Sequence, residues 1–125
     1  MQALIIILNK EEYTQTVVRL LKESGIRGAT ILEGMGSRSG ASNQLGTPSF
    51  LASLVETLEQ RNETKKIILS VVEKEEQVKK AISSINEAIN EGSKSGGAFM
   101  FTLPINYMRG GELERHIIRR DGKYV

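Results

Sequence analysis

Three short runs, Ala3 to Leu8, Lys66 to Val72 and Ala98 to Leu103, carry apolar side chains on both strand parities, and this limits the fold more than any other feature. A strand with one wet face alternates polar and apolar residues, whereas a strand apolar on both parities is covered on both faces. Helical patterns separate these runs. From Lys10 to Ser24 the residues Tyr13, Val17, Val18, Leu20 and Leu21 follow helical spacing, and Gly25 stands where a left-handed C-cap would end the helix. Gly28 to Gly36 then reads as a second strand through Ala29, Thr30, Ile31 and Leu32. After the Lys66 strand, Glu75 to Asn90 is a helix with Val78, Ala81, Ile82, Ile85 and Ile89 along one side, closed by Gly92. Lys10-Glu11-Glu12 opens the first helix as Lys74-Glu75-Glu76 opens the second, so the chain holds two strand–helix–strand units. Right-handed crossovers of two such units predict an α+β, ferredoxin-like βαββαβ domain, an antiparallel four-stranded sheet with both helices on one face. The opposite face is then bare yet apolar, and a symmetric partner subunit is its expected cover.

The remaining segments are punctuation and additions. Gly34 to Asn43 is rich in Gly and Ser and reads as a long flexible loop. Thr47-Pro48 has the form of an N-cap followed by a first-turn proline, and Phe50, Leu51, Leu54, Val55 and Leu58 predict a short inserted helix up to Gln60. Ser93 to Gly97 is a second flexible loop. Near the C-terminus, Asp121-Gly122 is a common hairpin dipeptide, which predicts a small C-terminal hairpin. The 125 residues fit one domain, with residues 37–60 as a variable loop bearing the inserted helix and 109–125 as a C-terminal extension.

Composition excludes several classes. Lys plus Arg number 17 against 15 Asp plus Glu, a formal +2, too little for the strong field of a dedicated nucleic-acid or membrane binder. Without Cys there is no disulfide framework, thiolate nucleophile or Cys-ligated metal, which fits a cytoplasmic location. The apolar run Ala3 to Leu8 lacks a basic leader and is shorter than the ~7–15 residues of a secretory core, so it reads as a buried strand. No stretch approaches the ~20 apolar residues that span a bilayer, so membrane insertion is not expected. His116 is the single histidine, so no His cluster exists for a metal, and no nucleophile–base constellation suggests an enzyme.

The stretch Ser24-Gly25-Ile26-Arg27-Gly28-Ala29-Thr30-Ile31-Leu32-Glu33, with the two glycine-rich loops and the opening strand and helix, resembles the nitrogen-regulatory P-II proteins and their P-II-like relatives. The likeness covers about four-fifths of the chain and implies a ferredoxin-like homotrimer that transduces signals. It implies that the segment after strand two is a mobile loop that touches a target protein, and that the loop before strand four wraps a nucleotide's phosphates between subunits. By position, Ser37, Arg38, Ser39, Ser42, Asn43 and Gln44 fall in the partner loop, with Gly36, Ser37 and Arg38 at its base and Gly36 and Arg38 expected among the nucleotide- or anion-binding residues. Gly92, Lys94, Ser95, Gly96 and Gly97 form the phosphate loop, and Arg109 is similar to an arginine that the family brings to the phosphates across a subunit boundary. The implied ligand is a small anionic effector, an adenine nucleotide with or without magnesium. The chain departs from the pattern at Tyr107, in place of an arginine, at Ala98, in place of a lysine, and at Gly96, in place of an aspartate. The partner loop has no tyrosine, so it offers no acceptor for uridylylation.

The residues themselves support anion binding only modestly. Glycines let backbone N–H groups turn toward an anion and Lys94 adds a point charge, but Gly-Ser-Lys-Ser-Gly-Gly taken alone is more often a flexible linker. It is not a Walker A loop, because it follows a helix and lacks the Gly-Lys-Ser/Thr order. Three other readings compete with this one. A trimeric scaffold without nucleotide, P-II-like or of the CutA type, is the principal alternative. An RNA-binding domain would use aromatics on the sheet, and Phe99 and Phe101 share one parity, but the strands are too apolar and the charge too small. An acylphosphatase-like hydrolase would need an arginine and asparagine around an anion loop, and no such constellation stands out.

Overall fold

The computed structural model describes residues 1–36, 64–92 and 96–124. The inserted helix expected over Thr47 to Gln60, and Ser37, Arg38, Ser39, Ser42, Asn43, Gln44, Lys94 and Ser95, lie outside the described residues.

Strand β1 is Gln2–Leu8, and a single 3-10 turn, Glu11–Tyr13, leads into helix α1, Thr14–Glu23. Strand β2 is Thr30–Met35 and β3 is Thr64–Val72. Helix α2, Glu75–Ile85, runs on into a π-helical turn, Asn86–Asn90, before strand β4, Ala98–Pro104. The four strands form one antiparallel sheet in the order β2-β3-β1-β4, as two interlocked β-α-β units require. The Lys-Glu-Glu openings behave alike. Lys10 and Lys74 are the extended residues before each helical start, and the glutamates that follow sit in the first turn, where they complement the positive end of the helix dipole. Gly25 and Gly92 both have φ of +84°, the left-handed conformation that ends a helix and that an L side chain resists.

The core lies between the sheet and the helices. Leu4, Ile6 and Leu8 of β1 and Ile68 and Val72 of β3 point one way, against Val17 and Leu21 of α1 and Val78, Ala81 and Ile85 of α2. Gln77 ties the two helices together, its amide nitrogen donating to the Gly25 carbonyl at 3.0 Å while its oxygen accepts from the Lys74 N–H at 3.1 Å.

The other parity carries the second apolar set. The register aligns Leu32, Ile67, Ile7 and Phe99 in one cross-strand row, Thr30, Leu69, Ile5 and Phe101 in the next, and Val71, Ala3 and Leu103 in a third. Nothing in the described chain covers this face, and Phe99 and Leu103 remain 65% and 54% exposed, which leaves a wide apolar surface in water. Phe99 and Phe101 meet edge to face on it, with ring centroids 5.6 Å apart.

The C-terminal extension differs from the expected hairpin. Gly111–Asp121 is a third helix, α3, and Gly122, at φ of +80°, is its left-handed C-cap with its N–H on the Ile118 carbonyl at 2.7 Å. The Asp121-Gly122 signal does mark a positive-φ glycine, but such a glycine ends a helix as readily as it turns a hairpin, and the tertiary contacts decide. Ile117 is buried, and Arg120 grips Glu73 at the β3–α2 junction through two hydrogen bonds of 2.9 and 2.5 Å while also binding Asp121.

This docking is pH-dependent. Hydrogen bonds from Arg120 hold the carboxyls of Glu73 and Asp121 below their ordinary values of 4.5 and 3.8. Both therefore contribute fully above those values and lose their contribution as pH falls through the lowered ones. Backbone amide exchange in residues 111–121 should be slow at pH 6 and should accelerate, relative to the sheet, as pH drops below 4. In Arg120→Gln that extra acid sensitivity should vanish; an equally steep acid response in this variant would show that the pairs do not hold α3.

Candidate functional site

Asn9 and Gly97, which follow β1 and precede β4, meet at one end of the sheet together with the end of β2 and the start of β3, around a concavity of about 400 Å³ lined by Ile7, Asn9, Gly34, Met35, Gly36, Lys65, Ile67 and Phe99. A larger groove of about 520 Å³ beside the end of α1 is lined by Val18, Leu21, Lys22 and residues 25–29, the connection into β2, and includes none of the residues flanking the glycine loop before β4. The strand-end concavity is therefore the better candidate.

Backbone geometry brings the glycine loop to this place. Asn90 closes the π turn, and that turn carries its amide onto the first residues of β4: its oxygen accepts from the N–H groups of Gly97 at 2.9 Å and Ala98 at 2.7 Å. Its nitrogen donates to the Ala98 carbonyl and to Asn86 Oδ1, both at 2.9 Å. π turns recur at functional sites because the extra residue re-aims a side chain, as here. The Gly97 N–H is therefore spent on Asn90. Glycine is required at position 97 by close packing: a Cβ there would lie 2.2 Å from Ile89 Cγ2 and 3.1 Å from the Tyr13 ring. Gly96, by contrast, has φ of +62° and open space around it.

From the other side, Asn9 donates its backbone N–H to the Gly97 carbonyl at 3.1 Å and its side-chain N–H to the Gly96 carbonyl, and its oxygen accepts from Lys65 Nζ at 2.9 Å. The two adjacent lysines have different duties. Lys66 points to the helix face, 2.6 Å from Glu33 and 3.5 Å from Glu11, and the Glu33 hydrogen bond raises its pKa while lowering that of Glu33. Lys65 lines the concavity and its bond to Asn9 is to a neutral oxygen, which leaves its charge for an anion.

Of the residues expected from sequence, Gly36 lines the concavity, Gly96 and Gly97 border it through Asn9, and Gly92 ends the π turn. Arg109 stands apart. Six residue steps along β4, ~20 Å at the usual strand rise, separate Ala98 from Pro104, and Arg109 follows beyond that far end. There its Nε lies 3.3 Å from Glu114 Oε1 and its guanidinium sits 5.5 Å from the Tyr124 ring centre. Arg109 cannot reach the concavity of its own subunit. Asn9, Lys65 and Asn90 were missed by sequence reasoning. Parity along β3 could have separated Lys65 from Lys66, since Lys65 shares its face with Ile67, but only the π turn aims Asn90.

Among the described residues no group of three or more acidic or histidine side chains is placed to hold a metal ion, and no helix is long and apolar enough to cross a membrane.

A four-stranded ferredoxin-like sheet with a glycine loop and a cation at its strand ends defines a small α+β domain with a candidate anion site. The family it belongs to is shown by a family model: residues 1–109 match the nitrogen regulatory protein P-II family, and the chain is a member of it. The matched residues end at Arg109, before α3. Among solved structures, the chain is similar to CPII from Thiomonas intermedia K12, bound to ADP, AMP and acetate, with a TM-score of 0.57 and 20% identity over 86% of this chain and 88% of that one. A likeness at this identity establishes the fold. Comparison with curated proteins gives no match.

Proposed function

We propose that this protein is a cytoplasmic, non-enzymatic P-II-like signalling protein that binds an adenine nucleotide at the strand-end concavity and responds through its 37–45 segment, which meets a target protein. The observation that carries the reading is the convergence of Gly36, Lys65 and the Gly96–Gly97 exit on one concavity in a chain of the P-II family. The solved relative binding ADP and AMP supports adenine as the base and offers acetate as a second class of anion. A cleft of this shape gives the nucleotide apolar walls, Ile7, Ile67 and Phe99, and places Lys65 for a carboxylate or phosphate.

The site is completed by a second subunit. The bare apolar face calls for a symmetric cover, and a homotrimer of the family's kind provides one while bringing a neighbour's copy of Arg109 toward the phosphates. Effector binding then acts by population shift: the arrangement of the 37–45 segment that binds the effector more tightly is favoured, and its affinity for the target changes accordingly.

Thermal-shift and calorimetric titration with ADP, AMP, ATP, cyclic nucleotides and bicarbonate, each with and without magnesium, tests this. A ligand at a hundredfold excess over its Kd stabilises the fold by about 2.7 kcal/mol, which a melt detects. A hit among the adenine nucleotides that is weakened by Lys65→Ala is the expected result. Silence across the series overturns the nucleotide reading in favour of a scaffold that works through protein contacts, for which the engagement of the Gly97 N–H by Asn90 is a supporting observation.

A further inference from the structure

We infer that Asn9 is a positioning residue that fixes the exit of the glycine loop and the Lys65 ammonium relative to each other, so that both sides of the cleft receive an anionic effector as one unit. The inference rests on the nucleotide reading for its ligand and on geometry for its residue.

Strand β1 lies between β3 and β4, and Leu8 is the last position paired to both, opposite Lys66 on one side and Ala98 on the other. Asn9 is the next step out. A side chain at this central position reaches both neighbouring chain segments, which no residue of the outer strands does. Its backbone N–H and its amide nitrogen hold the carbonyls of Gly97 and Gly96, while its amide oxygen holds Lys65 Nζ.

The two side-chain contacts, to the Gly96 carbonyl and to Lys65 Nζ, dictate the residue. A carbonyl on one side and an ammonium on the other require a donor and an acceptor on one short planar group, and the reversed amide would set NH₂ against ammonium and oxygen against carbonyl. Aspartate would keep the contact to Lys65 but neutralise it and repel the Gly96 carbonyl. Alanine would release both. The neutrality of the asparagine oxygen matters, because the neighbouring Lys66 is occupied by two carboxylates and Lys65 is the cation that faces the concavity.

The test uses the full chain as wild type, Asn9→Ala, Asn9→Asp, Lys65→Ala and the Asn9→Ala/Lys65→Ala double variant, titrated calorimetrically with ADP and with AMP, with a melt of each. Asn9→Ala should weaken the tighter nucleotide about tenfold, the scale of one lost hydrogen-bonded contact. Asn9→Asp should weaken it at least as much while melting no lower than Asn9→Ala, a split that a merely structural strand-end role would not produce. In the Lys65→Ala background the Asn9→Ala loss should shrink at least threefold, because the two residues act together. Strictly additive losses, or an Asn9→Asp variant that binds like wild type, would overturn the inference. Should wild type bind neither nucleotide, the nucleotide reading fails separately, and amide exchange decides the positioning role. Asn9→Ala should then speed exchange both at Gly97–Ala98 and at Lys65–Lys66; a change confined to one side, or to neither, would overturn it.

Discussion

Phe101→Asp should break the proposed homotrimer into folded monomers. Phe101 lies in the row with Leu69 and Ile5 on the sheet face that the helices leave bare, beside Phe99, and every copy of the chain presents the same face. Phe101 is 38% exposed in the single subunit, so its removal from an interface forfeits about 0.5–1 kcal/mol of burial per site. The introduced carboxylate adds a desolvation cost of a few kcal/mol more unless it is paired, and symmetry repeats the penalty in each subunit. The core on the other face does not include Phe101, so the helices should persist. Light scattering coupled to size exclusion gives the mass, and circular dichroism the fold. An unchanged oligomer would show that this face is not the interface, and a collapsed, helix-poor chain would show that the subunit cannot fold without its partners.

The second large effect is expected at Asn90. In Asn90→Leu, the N–H groups of Gly97 and Ala98 and the Ala98 carbonyl all lose their partner in a partly buried setting. Leaving such groups unsatisfied costs roughly 1–3 kcal/mol each where water cannot replace the bond, and partial hydration brings the total to about 2–4 kcal/mol. For a domain of this size that corresponds to a melting temperature lower by about 10 °C. Exchange should accelerate first at residues 96–98, ahead of the helix–sheet core. A melting temperature unchanged by the substitution would mean that the π turn and β4 are held together by Ile89 packing and not by this amide. Asn90→Asp should recover part of the loss, since it keeps the acceptor for both N–H groups and lacks the donor to the Ala98 carbonyl and to Asn86 Oδ1.

How much of this was legible in the sequence differs from element to element. The four core strands, the first helix and most of the second follow from parity and helical spacing, because those periods are imposed by local backbone geometry and recorded by which side chains are apolar. The bare face was legible for the same reason: Ile5, Leu69 and Phe101 are apolar on the parity that the helices do not need. The tail was misread because Asp-Gly reports a positive-φ glycine without saying which element it ends. The contacts that dock it as a helix, Ile117 in the interior and Arg120 on the distant Glu73, are not recorded in that dipeptide.

The binding site divides along the same line. Glycine content marked the loop, and the family resemblance gave it a purpose, but neither indicated that Gly97 is glycine for the sake of Ile89 or that its N–H is committed to Asn90. Lys65 and Lys66 are indistinguishable as neighbours in a string; register sends one to Glu33 and the other to the concavity. Asn9 has no signature because its role exists only where three segments far apart in sequence meet. The sequence by itself determined the periodic elements, their order and the apolar face that asks for a partner, since each depends on neighbours along the chain. The tertiary structure decided the helical tail, the aim of Asn90 and the pairing of Asn9 with Lys65 and the glycine loop, because hydrogen bonds between distant segments form only after hydrophobic burial has fixed the register.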